Sequence, residues 1–330
     1  MEMNELNIAA RDAGPLDVVT FGEAMGLFIA NEEGLLENVS TFSRAAAGAE
    51  LNVATGLARL GHRVGYISRF GDDSIGRALI AAIERERIDR SLIVIDRAHP
   101  TGFMFKSRVI DGSDPAIEYF RRGSAASHLS VSDFAIDYCR GARILHLTGI
   151  SPALAPGVRE LAFHAASTMR ALDRFVSFDP NLRPRLWASE AEMIECVNGL
   201  ASHADLVLPG VAEGRILSGY DTPEDIVRFY LDLGVRAVVV KLGPAGACVG
   251  TASGTQRIAG TPATCVVDTV GAGDGFAVGV LSALLDGRDL AAAVSVGNAI
   301  GARVVQFPGD CDGLPTRAEL EIMLASNRAF

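Results

Sequence analysis

Short apolar runs alternate with amphipathic stretches along most of the chain. The apolar runs are rich in valine, isoleucine, leucine and phenylalanine and predict buried strands at residues 18–21, 64–68, 144–147, 175–178, 206–208 and 237–241. Apolar residues recur at helical spacing between them, at residues 49–60, 74–87, 157–172, 191–201 and 223–233. This alternation predicts an α/β fold, in which helices flank a doubly wound parallel sheet.

Two segments, residues 26–44 and 101–123, lack helical spacing. The second contains two strand-like runs, residues 103–110 and 116–121, joined by the turn-rich sequence Asp111-Gly-Ser-Asp-Pro115. Strands inserted into an α/β frame at two places can pair with each other, and we expect a small β-sheet lid there. The alternative is an extended edge of the main sheet. We expect residues 1–330 to form a single domain that carries this lid.

Composition narrows the class of protein. The chain has 330 residues and a net charge of −10, which disfavours binding to nucleic acid. It shows neither an apolar run long enough to span a membrane nor the pattern of a signal peptide, so we expect a cytoplasmic protein. The five cysteines are scattered without a Cys-x-x-Cys pair, which is typical of reduced thiols rather than of a zinc site.

The most informative stretch is Asp268-Thr-Val-Gly-Ala-Gly-Asp-Gly-Phe276, which precedes a long apolar run. Its glycines predict a tight loop at the start of a buried helix, where backbone N–H groups and the helix dipole favour a phosphate. Asp274 falls in the first turn, where it could accept a proton from a hydroxyl group. The simpler alternative is an ordinary helix entry, since the spacing matches neither a P-loop nor Gly-x-Gly-x-x-Gly.

The same stretch resembles, nearly residue for residue, the C-terminal signature of the ribokinase-like (PfkB) sugar kinases. That resemblance implies the ribokinase-like fold and transfer of a phosphoryl group from ATP, with Mg²⁺, to a sugar hydroxyl. Asp274 would be the catalytic base, and Gly271, Ala272 and Gly273 would form an anion hole. The family also allows activation by a monovalent cation and pairing of lids in a homodimer or higher homo-oligomer.

Further motifs extend the resemblance over nearly the whole chain. Ala47-Gly-Ala-Glu-Leu-Asn-Val-Ala54 resembles the first motif of the family, which implies that Gly48 and Asn52 contact the sugar. Close helix packing and a surface amide are the alternatives for these two residues. The resemblance also implies nucleotide-binding positions in three places. They are Asn181 of the sequence Asp-Pro-Asn; Lys241, Gly243 and Gly246 of the sequence Lys-Leu-Gly-Pro-Ala-Gly; and Asn298.

Two of these motifs have structural alternatives, and one family motif is incomplete. Lys241 could be a solvated charge at a strand end, and Gly-Pro-Ala-Gly could be an ordinary hairpin turn. Members of the family usually carry Asn-x-x-Glu after the strand predicted at 206–208, where it helps to organise Mg²⁺ through water. Here Gly210 replaces the Asn while Glu213 remains. Glu213 is therefore expected to contribute to a metal site only indirectly.

The acceptor is indicated by Tyr119-Phe-Arg-Arg-Gly-Ser-Ala, in the predicted lid. Arginine binds carboxylates through paired hydrogen bonds, so arginines near the sugar favour an acid sugar. The motif resembles the 2-keto-3-deoxygluconate kinase branch of the family, which implies that Tyr119, Arg121 and Arg183 bind the substrate. A further lid tyrosine of some members is replaced by Met104, and plain surface charge is the alternative for Arg121.

The prediction is therefore an ATP-dependent kinase acting on the primary hydroxyl of 2-keto-3-deoxygluconate. A fructokinase or another PfkB-type sugar kinase is the nearest alternative. A catalytically silent sugar-binding protein is an alternative of another class, prompted by the missing Asn at position 210. A nicotinamide dehydrogenase is disfavoured, because Phe21-Gly-Glu-Ala-Met-Gly26 does not supply its glycine pattern.

Overall fold

A computed structural model describes Leu6, Ile8, residues 14–109 and residues 115–327. Its strands are β1 (Val18–Phe21), β2 (Met25–Glu33), β3 (Phe42–Ala47), β4 (Val64–Gly71), β5 (Ile93–Asp96), β6 (Phe103–Arg108), β7 (Ile117–Phe120), β8 (Ile144–Thr148), β9 (Phe175–Asp179), β10 (Leu206–Val207), β11 (Ala237–Lys241), β12 (Ala247–Thr251) and β13 (Gly254–Ile258). Its helices are α1 (Ala49–Arg59), α2 (Ser74–Arg85), α3 (Ile136–Cys139), α4 (Ser151–Leu154), α5 (Pro156–Ala171), α6 (Glu190–Ala201), α7 (Val211–Ser218), α8 (Pro223–Asp232), α9 (Ala272–Leu285), α10 (Leu290–Val304) and α11 (Arg317–Asn327).

The main sheet has nine strands in the order β13-β12-β11-β10-β9-β8-β1-β4-β5. The strands from β11 to β5 run parallel, and β12 and β13 add an antiparallel edge. This arrangement confirms the predicted α/β class, and every predicted main-sheet strand is present to within three residues. The carboxyl ends of β1, β8, β9, β10 and β11 lie side by side, which is where ligands bind in such sheets.

Helices cover both faces of this sheet, because its parallel strands are apolar on both sides. One core packs α1, α9 and α10 against the sheet, with residues such as Leu57, Val278 and Ile300. The other packs α5, α6 and α8 on the opposite face, with residues such as Leu161 and Tyr230. No helix in the described ranges is long and apolar enough to cross a membrane.

The two irregular segments form a separate small sheet of four strands, in the order β3-β2-β6-β7. Strand β2 pairs in parallel with β6, which joins the N-terminal insertion to the later one, while β3 and β7 pair antiparallel at the edges. The predicted pairing of the two insertions is confirmed. Most of the predicted turn at 111–115 lies outside the described residues.

Helix α9 is the most deeply buried helix at this end of the sheet, and every residue from Asp274 to Leu285 is buried. It packs closely on α10, where a Cβ on Gly279 would lie 2.6 Å from the Cα of Gly297. It also contacts α1, where Gly56 leaves room for Val278. Helix α9 is therefore held from two sides, and its first turn lies at the edge where the parallel strands end.

Candidate active site

The loop before α9 has the backbone conformation that its glycines predict. Gly271 caps the helix with φ of 82°, a left-handed conformation that favours glycine, and a Cβ there would lie 2.6 Å from the carbonyl oxygen of Asp310. The first N–H groups of a helix have no intrahelical acceptor. That of Gly273 therefore provides a hydrogen-bond donor at the positive end of a 14-residue helix, while that of Ala272 makes a long hydrogen bond of 3.4 Å to the carbonyl oxygen of Thr269.

Asp274 lies in the first turn of α9 and is 8 % exposed. Its Oδ2 accepts a hydrogen bond from Asn52 Nδ2 at 2.8 Å, and its Oδ1 accepts one from Asn181 Nδ2 at 3.3 Å. Burial raises the pKa of Asp274 to about 7, and the nearby carboxylates of Asp179 and Asp310 act in the same direction against the hydrogen bond from Asn52. A carboxylate with this pKa can accept a proton near neutral pH.

Asn52 is 2 % exposed, so it is not a surface amide. While its Nδ2 donates to Asp274, its Oδ1 accepts a hydrogen bond from the thiol of Cys311 at 3.0 Å. The thiol is neutral, because burial raises the pKa of Cys311 well above its ordinary value. This donor fixes which end of the Asn52 amide faces Asp274.

Lys241, at the end of β11, is bound to the neighbouring strand end. Its Nζ donates to Asp179 Oδ2 at 2.6 Å, and its side chain is 16 % exposed. Burial alone would lower the pKa of Lys241, but the carboxylates of Asp179 and Glu213 keep it above its ordinary value. The ammonium group therefore stays charged at the edge of the site, and a freely solvated strand-end charge is excluded.

Both carboxylate oxygens of Glu213 accept backbone hydrogen bonds. Oε1 accepts from Leu182 N–H and Oε2 from Gly210 N–H, each at 2.7 Å. Leu182 follows β9 and Gly210 follows β10, so Glu213 links the ends of adjacent strands. In the described ranges no group of three or more His, Cys, Asp or Glu side chains is arranged to hold a metal ion.

The two predicted substrate arginines differ in their surroundings. The guanidinium of Arg121 donates from Nε to Glu23 Oε2 at 2.6 Å and is 10 % exposed. Glu23 is buried and also accepts a short hydrogen bond from Ser124. Arg183 is exposed and donates to the carbonyl oxygen of Leu182 at 3.0 Å. The charge of Arg121 is thus partly neutralised, while Arg183 contacts neutral acceptors.

All the residues predicted for the site line two adjoining clefts. The first, here called the polar cleft, has a volume of about 270 Å³ and is lined by Gly48, Asn52, Tyr119, Arg121, Asn181, Arg183, Glu213, Lys241, Gly271, Gly273 and Asp274. The second, here called the apolar cleft, has a volume of about 440 Å³ and is lined by Lys241, Gly243, Gly246, Ala272, Gly273 and Asn298, with Pro244, Phe276 and Val305. Lys241 and Gly273 line both clefts.

The rim of the apolar cleft is shaped by a turn between β11 and β12. Gly243 and Gly246 have φ of 59° and 97°, and a Cβ on Gly246 would lie 2.1 Å from the carbonyl oxygen of Ile258. The turn does connect two antiparallel strands, as its alternative interpretation held. Asn298 of α10 donates to the carbonyl oxygen of Ala259 at 2.9 Å and so holds the opposite rim.

Sequence reasoning missed Glu23, Lys106, Asp310 and Cys311. Glu23 follows β1, so its place at the carboxyl end of a parallel strand was a usable signal. Lys106 shares the buried face of β6 with Met104, and a lysine on an apolar alternating face was a second signal. Asp310 and Cys311 lie in an irregular loop after α10, where no local pattern marks them.

Comparison with known proteins places the chain among carbohydrate kinases. Residues 15–317 match the family model described as pfkB family carbohydrate kinase. The 2-dehydro-3-deoxygluconokinase of Bacillus subtilis (strain 168) is 48 % identical over 95 % of this chain and 97 % of its own length. The crystal structure of a PfkB protein from Polaromonas sp. JS666 is 53 % identical, with a TM-score of 0.86 over 93 % of this chain and 99 % of that one.

A third relative is crystallised with nucleotide. The structure of a putative ribokinase II from E. coli in complex with ATP and Mg²⁺ is 25 % identical, with a TM-score of 0.87. It covers 94 % of this chain and 99 % of its own.

Proposed function

Because the chain belongs to the pfkB family of carbohydrate kinases, we propose that it transfers a phosphoryl group from ATP to the primary hydroxyl of 2-keto-3-deoxygluconate. One observation carries the proposal: the buried carboxylate of Asp274 faces the same cleft as two arginines able to bind an acid sugar. The 48 % identity to a protein named 2-dehydro-3-deoxygluconokinase supports this acceptor, since the two names describe one sugar acid.

Asp274 acts as the general base in this proposal. The acceptor hydroxyl gives its proton to the carboxylate as its oxygen forms a bond to the γ-phosphorus, and the bond from that phosphorus to the bridging oxygen of ADP breaks. General base catalysis contributes about 10²–10⁴-fold to such a step. Asn52 and Asn181 hold the two carboxylate oxygens, so the base keeps its orientation before the sugar binds.

The start of α9 receives the transferring phosphate. Backbone N–H groups around Gly271, Ala272 and Gly273 offer donors, and Lys241 adds an ammonium group at the same edge. Phosphoryl transfer depends mainly on positioning and on stabilising charge at the transferring group. The left-handed glycine and the buried helix fix the position of this loop, and its N–H groups stabilise negative charge.

The carboxylate of the sugar acid is bound by Arg183, with Arg121 and Tyr119 completing the subsite. Arg183 has the stronger role, because its guanidinium contacts carbonyl oxygens and can form a bidentate pair with an incoming carboxylate. Arg121 remains bound to Glu23 and orients the sugar by its second edge. Gly48 and Asn52 contact the sugar hydroxyl groups from the start of α1.

The apolar cleft accommodates the adenine and ribose of ATP. Gly243 and Gly246 form one rim and Asn298 the other, and Lys241 and Gly273 lead from this cleft into the polar one. An elongated ligand laid across both clefts has its polyanionic end at the start of α9. A nucleoside triphosphate fits this orientation, because its base is apolar and its other end is a polyanion.

The described residues fit Mg²⁺ that arrives with the nucleotide. Magnesium keeps several waters and is commonly bound by one or two carboxylates together with substrate phosphates. Glu213 uses both oxygens on backbone N–H groups, and Asp179 is bound to Lys241, so neither offers a free carboxylate. When bound, Mg²⁺ would neutralise phosphate charge, and Glu213 would help to hold it indirectly, through water. A monovalent cation as activator is proposed from the family alone.

The small sheet is proposed to act as the lid of the polar cleft and as the contact between subunits. Met104 and Tyr119 of this sheet line the cleft, which supports the proposed lid. Its outer face carries stacked rings, with Phe103 and Phe120 at 4.9 Å between centroids, and Phe120 is 49 % exposed. An exposed aromatic face of this kind supports a homodimer or higher homo-oligomer. We further propose that the enzyme works in the cytoplasm.

Sugar-dependent ADP release, measured with a coupled assay, tests the proposal. The assay compares four acceptors at saturating ATP: 2-keto-3-deoxygluconate, fructose, ribose and adenosine. We expect the highest kcat/KM for 2-keto-3-deoxygluconate. Highest kcat/KM with fructose would make the chain a fructokinase instead. Binding of a sugar without any ADP release would indicate a silent sugar-binding protein. Asp274→Asn should keep sugar binding and lose turnover, so near-normal kcat in that variant would refute the assignment of the base.

A further inference from the structure

Lys106 is a buried cation that the reaction described above does not use. It lies on β6 of the small sheet, is 2 % exposed and contacts two carboxylates of the main body. Its Nζ forms a short ion pair with Asp268 Oδ2 and lies 3.1 Å from Asp310 Oδ1. Burial alone would lower the pKa of Lys106, but these carboxylates keep it above its ordinary value, so the ammonium group is charged.

The two carboxylates adjoin the phosphate-binding loop. Asp268 opens that loop, and its Oδ1 accepts a hydrogen bond from Val270 N–H at 3.0 Å. Asp310 lies directly behind the loop, because its carbonyl oxygen is the atom that a Cβ on Gly271 would meet. Lys106 therefore joins the small sheet to both supports of the loop, over separations of 162 residues and 204 residues in sequence.

We propose that Lys106 is a positioning residue whose ammonium group is the built-in counter-cation of Asp268 and Asp310. It thereby holds residues 268–273 in the conformation that receives phosphate and ties the small sheet to them. The inference rests on the proposed roles of that loop and of Asp274. The tethered ammonium group of Lys106 neutralises two buried carboxylates, which a free cation would otherwise have to do. Lys106 lines the polar cleft together with Asp310, and it also lines the groove between the small sheet and residues 266–268, so the space it fills adjoins both.

Charge explains why a cation is needed at this position. Without Lys106, Asp268 and Asp310 would be two buried carboxylates of like sign, both less than 10 % exposed. They would repel each other or take up a proton, and in either case the hydrogen bond to Val270 and the backbone behind Gly271 would shift. A displacement of about 1 Å at a reacting group can cost on the order of 10²-fold in rate.

Chemical rescue of two variants tests the assignment. Lys106→Ala removes both the charge and the volume, whereas Lys106→Met removes the charge and keeps most of the volume. We expect kcat to fall about 10²-fold in both, with a smaller change in KM for the sugar. Methylammonium should restore kcat at least tenfold in Lys106→Ala by occupying the vacated space, and should restore little in Lys106→Met. Tetramethylammonium, which is too large for the space, controls for ionic strength.

Arg108→Met is the matched control, because Arg108 is an exposed cation two residues along the same strand. Its kcat should stay within threefold of the wild-type value. The assignment is overturned if Lys106→Met also keeps kcat within threefold. It is equally overturned if Lys106→Ala is folded and slow but unaffected by methylammonium, or if only KM for the sugar rises, since Lys106 would then be a ligand of the sugar.

A double variant keeps the test informative if the single variants do not fold. Lys106→Met with Asp268→Asn retains the net charge of the cluster and an acceptor for Val270, so it should fold and be faster than Lys106→Met alone. Equal or lower kcat in the folded double variant would count against the assignment. Calorimetric binding of ATP supplies a readout without turnover: Lys106→Ala should bind ATP about tenfold more weakly, and methylammonium should restore the affinity. Failure of the proposed function would appear in the wild-type chain itself, as ATP binding without sugar-dependent ADP release.

Discussion

Replacing Asp274 by Asn should make the protein more stable at alkaline pH while removing its activity. Burial raises the pKa of this carboxyl group from an ordinary value of 3.8 to about 7. The folded state therefore binds a proton more tightly than the unfolded state does, so stability falls as pH rises between about 4 and 7. Each pH unit in that interval lowers the free energy of unfolding by about 1.4 kcal/mol.

The expected magnitude follows from these values. At pH 8 the ionised, buried carboxylate destabilises the fold by about 4 kcal/mol, and at pH 5 by about 1–2 kcal/mol. Asn cannot ionise, but its single carbonyl oxygen cannot accept from both Asn52 and Asn181, which costs about 1 kcal/mol. The variant should therefore be more stable than wild type by about 3 kcal/mol at pH 8, and the gain should nearly vanish at pH 5.

Urea unfolding at the two pH values measures this difference. The fluorescence of Trp187, the single tryptophan of the chain, reports the transition because its ring is buried. Asp232→Asn, at the exposed end of α8, controls for the removal of a carboxylate. An equal stability gain at pH 5 and pH 8, or a loss at pH 8, would show that Asp274 is not held in an environment that disfavours its charge.

Three further predictions concern activity. In the wild type kcat/KM should fall about tenfold per pH unit below pH 7, as Asp274 becomes protonated, and a flat profile from pH 5 to 8 would contradict this. Arg183→Met should raise KM for the sugar acid about 10- to 100-fold, as expected for a lost charged hydrogen bond, and should leave KM for fructose unchanged. Steady-state kinetics measures both constants, and Arg185→Met, at an exposed arginine nearby, is the control. Gly271→Ala should lower both Tm and kcat, because φ is 82° at this position and the new Cβ would lie 2.6 Å from a carbonyl oxygen. Gly273→Ala is the control and should keep its Tm, because the nearest atom to its Cβ would be at 3.6 Å. Similar Tm values for the two variants would refute the claim that alanine strains the backbone at position 271.

The main sheet could be predicted from sequence because buried parallel strands are short and apolar on both faces. The predicted run at 237–241 coincides with β11, and the run at 18–21 with β1. Strands β5, β12 and β13 were not predicted. Strand β13 is an exposed edge with the polar sequence Gly-Thr-Gln-Arg-Ile, whereas β12 is buried but has the sequence Ala-Cys-Val-Gly-Thr, in which small and polar residues interrupt the apolar run.

The site could be predicted wherever a motif stays contiguous. The loop before α9 and the Asp-Pro-Asn sequence at the end of β9 predicted that Asp274 and Asn181 belong to one site, and the side chain of Asn181 does donate to Asp274 Oδ1 at 3.3 Å. The partners of Lys106 and Asn52 could not be found in this way, because Asp310 and Cys311 lie more than 200 residues away in an irregular loop. Their meeting is decided by the packing of the small sheet and of α1 against the end of α9.

Lys241 stands where the two clefts meet, with its ammonium group 2.6 Å from Asp179 Oδ2. In the proposed reaction an incoming triphosphate would compete with Asp179 for that ammonium group, and the sugar would enter the cleft that both residues line. The two substrates would therefore influence each other's affinity through one side chain. Kinetic synergism is the expected consequence: the dissociation constant of the sugar measured without nucleotide should differ from the constant that governs turnover.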